Sequence, residues 1–165
     1  MIKSNTFNIK NVAVVTILAT FFLFDRYLKR LAINNDPNFN LLGEHLKFTL
    51  SKNFNIAFSL PISGPILNIV IVSIVLGLIF YLIYLIKHRY AFIIIAALLA
   101  LILGALSNAL DRLTYGYVID YLDVLNFTVL NIADILISIS AFILILLNLS
   151  SSKDNKKTIS KDGTV

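Results

Sequence analysis

Three observations predict an all-α membrane protein built as a four-transmembrane-helix bundle. Of 165 residues, 58% are hydrophobic, and mean hydropathy is +0.87, above the roughly half-apolar usage of soluble domains. The apolar residues fall in four long blocks, each approaching or reaching the ~20 residues that a spanning helix needs. Segments of alternating polarity suited to a closed barrel, the other architecture that satisfies every backbone group in lipid, are not found. One membrane domain is expected over residues 1–150, followed by a tail at 151–165.

The first span, about 10–28, follows Lys3 and Lys10 and has the outline of a signal peptide. It ends in Phe21, Phe22, Leu23, Phe24 and Asp25, where a cleavable signal has small residues, so retention as a helix is expected. The segment at about 29–63 is long enough to fold on its own, and alternation over 46–50 reads as a strand. A small extracytoplasmic β-containing loop domain is therefore expected between helices 1 and 2. The second span, about 65–86, is opened by Gly64 and Pro65 and closed by Lys87, His88 and Arg89. The third, about 90–110, carries no charge before Asp111, and the short basic turn between them makes an antiparallel hairpin. The fourth, about 129–149, is interrupted near its start by Asp134. The tail is polar and Lys-rich and reads as disordered and cytoplasmic.

A net charge of +5 and a pI near 9.5 would suit nucleic acid, but the basic residues flank the apolar blocks, where they orient a chain in a membrane. Lys3, Lys10, Lys87, Arg89, Lys153, Lys156, Lys157 and Lys161 share one side, which predicts cytoplasmic termini. The first outer loop, with Arg26, Lys29, Arg30, Lys47 and Lys52, is the exception to that bias. There is no Cys, which excludes disulfides, thiolate catalysis, Fe–S clusters and Cys-based zinc sites. His45 and His88 fall on opposite sides of the membrane, so no joint metal site is expected.

Carboxylates at membrane depth cost at least ~2.5 kcal/mol on insertion scales and usually serve function. Asp111, Asp120 and Asp134 converge on the outer face. Each has a plain reading alone: Asp111 with Arg112 as an interfacial ion pair, Asp120 as a solvated loop residue, Asp134 as a charge at a helix N-terminus. Asp120 and Asp134 together form a pair able to share one proton. One member then acts as base toward water while the other donates to a carbonyl oxygen. That chemistry hydrolyses a peptide bond without a metal, and Asp123 has no part in it.

The run Gly104–Leu113, then Tyr115–Asp120, then Asn131–Asp134 resembles the lipoprotein signal peptidase family, whose pattern reads approximately GGALGNLxDRL, YGxVVDF and FNxADxxI. Asp25 and Lys29 resemble that family's D-x-x-x-K, and Asn53–Ser59 its N-x-G-A-A-F-S loop. The resemblance implies that Asp120 and Asp134 are the catalytic dyad. It implies that Asn108, Asp111, Arg112 and Asn131 line or brace the site, that Asn53 contacts substrate, and that Asp25 and Lys29 support the first helix and loop. Phe58 is expected over the opening. The implied activity is removal of the signal peptide from diacylglyceryl-modified prolipoproteins just before the lipidated cysteine, with no metal or organic cofactor. Substrate and the phospholipid bilayer are the implied partners, with no nucleic acid and a monomeric chain. The implied location is the bacterial cytoplasmic (inner) membrane, with the site near its extracytoplasmic face.

Departures from the pattern are Leu103 and Ser107 at Gly positions, Asn55 and Ile56 for Gly-Ala, and Leu130 for Phe. The interval from Asp120 to Asp134 is also short and lacks an aromatic-Pro segment. The alternative is a small proton- or cation-coupled transporter or channel subunit, which calls for polar residues at mid-span, where this chain is nearly uncharged. A presenilin- or prepilin-peptidase-like protease would carry G-x-G-D, which is absent.

Overall fold

The computed structural model describes residues 9–54 and 65–162, with side chains described for 9–54 and 66–150. The expectations for Asn55, Ile56 and Phe58 lie outside the described residues. Four helices, α1 (Ile9–Asn35), α2 (Pro65–Lys87), α3 (Phe92–Tyr115) and α4 (Ile132–Asp162), alternate with four strands, β1 (Asn38–Leu42), β2 (Leu46–Asn53), β3 (Val118–Val124) and β4 (Thr128–Leu130). Each helix contains a stretch long and apolar enough to cross a membrane. Ile17 and Phe21 of α1, Ile69 and Phe80 of α2, and Ile139 and Phe142 of α4 are all exposed. An outer surface of this kind suits hydrocarbon rather than water.

Helix α3 is the centre of the bundle and packs against α1, α2 and α4. Its buried positions include Ala96, Ala97, Ala100, Gly104 and Ser107. Small residues matter here because lipid gives helices no hydrophobic reason to associate, so close backbone approach must supply the packing energy. The closest approach is at Gly104, where a Cβ would sit 2.6 Å from the Ala133 carbonyl oxygen and 2.8 Å from Ile137 Cγ1. The expected α2–α3 hairpin is present, with Leu85 buried against Leu98 and Ile102 and Arg89 in a left-handed conformation at the turn.

The strands form one antiparallel sheet in the order β1-β2-β3-β4. The expected β structure between α1 and α2 supplies only half of it; β3 and β4, between α3 and α4, complete it. The reason lies in β3, whose residues Val118 to Tyr121 are all buried, so no alternation marks them as a strand. The β3–β4 turn is equally unannounced, since its two positive-φ residues are Leu125 and Asn126 rather than Gly.

Three helices also differ from expectation in their bounds. Helix α1 runs past residue 28 to Asn35, and α3 runs past 110 to Tyr115, so Asp111 and Arg112 belong to its last turns. Helix α4 starts at Ile132 and continues to Asp162, so the segment expected to be a disordered tail is helical through Asp162. No Gly or Pro occurs from Ile132 to Asp162, and extending a helix that already exists carries no new nucleation cost.

Candidate active site

The site forms where α1, the end of α3, β2, β3 and the start of α4 meet. Gly116 caps α3 in a left-handed conformation (φ 81°), its N–H donating to the Arg112 carbonyl at 3.0 Å, and the chain turns directly into β3. Strand alternation points Asp120 away from Ile119 and Tyr121, which pack with Ala32 and Phe48. A bulge in β2 between Phe48 and Ser51 shifts its later residues by one position, pairing Asn53 with Val118. Without that shift Asn53 would face the other side of the sheet. With it, Asn53 Nδ2 donates to Asp120 Oδ2 at 3.0 Å.

At the head of α4, Asn131 and Asp134 form a reciprocal cap of the capping-box kind. The Asp134 N–H donates to Asn131 Oδ1 at 2.8 Å, and the Asn131 N–H donates to Asp134 Oδ2 at 3.2 Å. With its oxygen committed, Asn131 presents its amide nitrogen to Asp120 Oδ1 at 2.6 Å. Asn131 thus links the two aspartates, its side-chain amide donating to the Asp120 carboxyl and its main-chain N–H to the Asp134 carboxyl. The plain reading of Asp134 as a helix-end charge fits this cap, and its other oxygen accepts from Asn108 Nδ2 at 2.8 Å.

Beneath this pair lies a buried ionic network. The fully buried Lys29 ammonium reaches Asp111 Oδ2 and Asn108 Oδ1, each at 2.7 Å, and Asp25 Oδ2 at 3.4 Å. Arg26 pairs with the other Asp111 oxygen and donates to the Ser107 carbonyl at 3.1 Å. Asp111 is therefore matched by two cations of α1, and its Oδ2 also takes the Ile119 N–H at 3.2 Å. Arg112, 7% exposed, lies within electrostatic reach of Asp111, Asp120 and Asp134.

Burial, and then the neighbouring Asp134 carboxyl, push the Asp120 carboxyl up to about 6, against the opposing hydrogen bonds from Asn53 and Asn131 and the charge of Lys29. Asp120 is buried, while Asn53, Asn108 and Asp134 are only partly so, which leaves the pair approachable from their side. Among the described residues no group of three His, Asp or Glu is placed to hold a metal ion.

A family model described as signal peptidase (SPase) II matches residues 17–150. The chain belongs to the signal peptidase II family. Curated relatives match over shorter stretches. A lipoprotein signal peptidase of Gloeothece citriformis is 42% identical over 60 residues, 35% of this chain and 38% of that protein. One of Halothermothrix orenii is 51% identical over 43 residues, 26% of this chain and 30% of that protein. The chain thus spans about a third of the length of the curated relatives it matches. A bacterial membrane enzyme solved in meso at 2.3 Å shares the fold, with a TM-score of 0.76 at 21% identity over 93% of this chain and 95% of that one. A second, solved at 1.9 Å, has a TM-score of 0.70 at 23% identity, covering 90% and 97%. The transporter or channel alternative finds no support in these matches.

In this signal peptidase II fold, Asp25, Lys29, Asn53, Asn108, Asp111, Asp120, Asn131 and Asp134 are joined in one hydrogen-bonded network, with Arg112 beside it. Sequence reasoning left out Arg26, Ser107, Tyr121 and Gly104. Arg26 read as one more basic flank residue and Ser107 as a departure from a pattern. The only available signal for Tyr121 was its place next to Asp120.

Proposed function

We propose that the chain is a membrane-embedded aspartic endopeptidase that removes the signal peptide from diacylglyceryl-modified prolipoproteins, cleaving just before the lipidated cysteine. The observation that carries this reading is the Asn131 side chain, which spans the Asp120 carboxyl and the head of α4 where Asp134 begins its turn. A charge count supports it. Asp25, Asp111, Asp120 and Asp134 bring four negative charges to the cluster, against three positive ones from Arg26, Lys29 and Arg112. A single proton on the dyad makes the cluster neutral, the state that a poorly solvated site favours.

With one proton shared, the ionised carboxylate of the Asp120–Asp134 pair takes a proton from water as the water oxygen attacks the scissile carbonyl carbon. The other carboxyl gives its proton to the carbonyl oxygen. Collapse of the resulting gem-diol breaks the C–N bond, and a dyad proton goes to the departing amine nitrogen. Asn53, Asn108 and Asn131 hold the carboxyl oxygens in place through these steps. Arg112 offers a rigid fork of donors for substrate carbonyls.

The reading includes a bacterial cytoplasmic membrane location, both termini cytoplasmic, and a site near the extracytoplasmic face. The substrate's acyl chains then stay in the phospholipid bilayer while water reaches the partly exposed Asp134. It also includes a monomeric enzyme with no nucleic-acid partner and no metal or organic cofactor. The test is purified protein in detergent on a diacylglyceryl-modified prolipoprotein and its unlipidated counterpart. Cleavage of the lipidated form alone is expected, and Asp120→Asn and Asp134→Asn should each abolish it in folded protein. Turnover retained in both variants refutes the mechanism, and equal cleavage of both substrates refutes the substrate class.

A further inference from the structure

We infer that Ser107 and Tyr121 are positioning residues whose hydroxyls lock the Asp25 carboxylate into a brace holding the backbone beside both dyad aspartates, an inference that rests on the proposed function. Asp25 is fully buried on α1, and both of its oxygens are occupied. Oδ2 accepts from Ser107 Oγ at 2.6 Å. Oδ1 accepts from Tyr121 O–H at 2.8 Å and from the Ala133 N–H at 3.3 Å. Tyr121 directly follows Asp120 on β3, and Ala133 directly precedes Asp134 on α4. One carboxylate on a third element therefore ties the residues next to both catalytic candidates.

The Tyr121 oxygen also accepts the Ile132 N–H at 3.2 Å. An α-helix begins with N–H groups that have no intrahelical partner, and at α4 four successive ones find side-chain acceptors. Asn131 donates to Asp134, Ile132 to Tyr121, Ala133 to Asp25 and Asp134 to Asn131. Asp25 and Tyr121 thus supply the middle two contacts, and these fix the pitch at which Asp134 leaves the helix head.

The direction of each hydroxyl is determined by chemistry. Arg26 Nη1 reaches Ser107 Oγ at 3.4 Å, and a guanidinium only donates, so the Ser107 hydrogen is left for Asp25. Burial, and then the Asp25 charge, push the Tyr121 hydroxyl well above its ordinary range, so it remains a donor. At both positions the family pattern given above, with Gly and Phe, has no hydroxyl.

The test compares wild type, Ser107→Ala, Tyr121→Phe and the double variant as folded, detergent-purified full chains. Two readouts are taken: kcat and KM on a diacylglyceryl-modified prolipoprotein, and the infrared titration of the Asp120 carboxyl band, assigned by its loss in Asp120→Asn. The groups facing Asp120 in that titration are Asp134, Lys29, Arg112, Asn53 and Asn131, none of which is changed. Tyr121→Phe should lower kcat about tenfold with KM within about twofold, and move the band midpoint by roughly half a pH unit or more. Ser107→Ala should act in the same direction, more weakly. Because both hydroxyls serve one carboxylate, the double variant should lose less than the product of the two single losses.

The deciding value is kcat per folded molecule. If both single variants keep it within about twofold of wild type, the brace is overturned, even where melting temperatures fall. Should Tyr121→Phe fail to fold, Ser107→Ala decides alone, since it leaves the Ile132 N–H satisfied. Should wild type cleave nothing while Asp120 still titrates, the proposed function falls, and the midpoint comparison decides the brace.

Discussion

The Lys29 ammonium donates to Asn108 Oδ1 at 2.7 Å, and that contact determines which end of the Asn108 amide faces Asp134. An ammonium has no acceptor, so the amide oxygen must turn toward Lys29 and the amide nitrogen toward the carboxyl. Two variants separate this orienting role from the ionic one. Lys29→Met leaves Asp25 and Asp111 short of a buried partner, which costs about 3–5 kcal/mol; thermal unfolding in detergent should show a large fall in Tm. Asn108→Leu keeps the ion pairs, so Tm should move far less while kcat falls roughly 100-fold. Unchanged kcat in folded Asn108→Leu rules out the orienting role.

Asp123 lies three residues from Asp120 and could be mistaken for a dyad member. Its Oδ1 is buried with no hydrogen-bond partner among the described residues, so substitution there breaks no hydrogen bond of that oxygen. Asp123→Asn should therefore keep kcat/KM within about twofold and leave Tm equal or raised. A loss on the scale of Asp120→Asn would move the catalytic assignment to Asp123.

The Asp120 midpoint should respond with opposite signs to two neighbours. Burial is the main cause of its rise to about 6, the Asp134 charge the next, while the Asn53 hydrogen bond opposes both. Asp134→Asn removes a like charge, so the midpoint should fall, yet stay above the ordinary carboxylate value because burial persists. Asn53→Ala removes a donor that favours the ionised form, so the midpoint should rise. Where Asn53→Ala still turns over, the alkaline limb of kcat/KM should move up with it, because the shared proton is then lost at higher pH. Infrared titration of the carboxyl band checks both signs, and shifts in the same direction contradict the assigned neighbours.

The spans were legible because hydrocarbon demands long apolar runs, and the gathering of Asp111, Asp120 and Asp134 because carboxylates at that depth are costly. Half of the sheet was not legible. Val118 to Tyr121 are buried in succession, so no exposed face betrays a strand, and the turn after β3 uses Leu125 and Asn126 with positive φ. The partners of Asp111 were hidden for a different reason. Its neighbour Arg112 suggested a local pair, whereas Arg26 and Lys29 arrive from α1 by tertiary packing. Arg26 also read as a loop residue, because the basic residues after Asp25 were counted with the first outer loop, whereas α1 continues to Asn35.

The meeting of α3 and α4 depends on the missing side chain at Gly104, and a paired substitution can show it. A Cβ there lies 2.6 Å from the Ala133 carbonyl oxygen, a backbone atom that can yield only if α4 moves. Gly104→Ala should cost about 1–3 kcal/mol, as overpacking does. It should also lower kcat, since Ala133 adjoins Asp134 and its N–H is held by Asp25. Gly77 on α2 is the control, because a Cβ there meets nothing within 4 Å. Gly77→Ala should leave kcat unchanged and hold or raise Tm, alanine being the better helix former by about 1 kcal/mol. Melting curves and turnover of the two variants decide the matter. If Gly104→Ala is as stable and active as Gly77→Ala, the helices do not meet at this point, and the head of α4 is set by its side-chain caps alone.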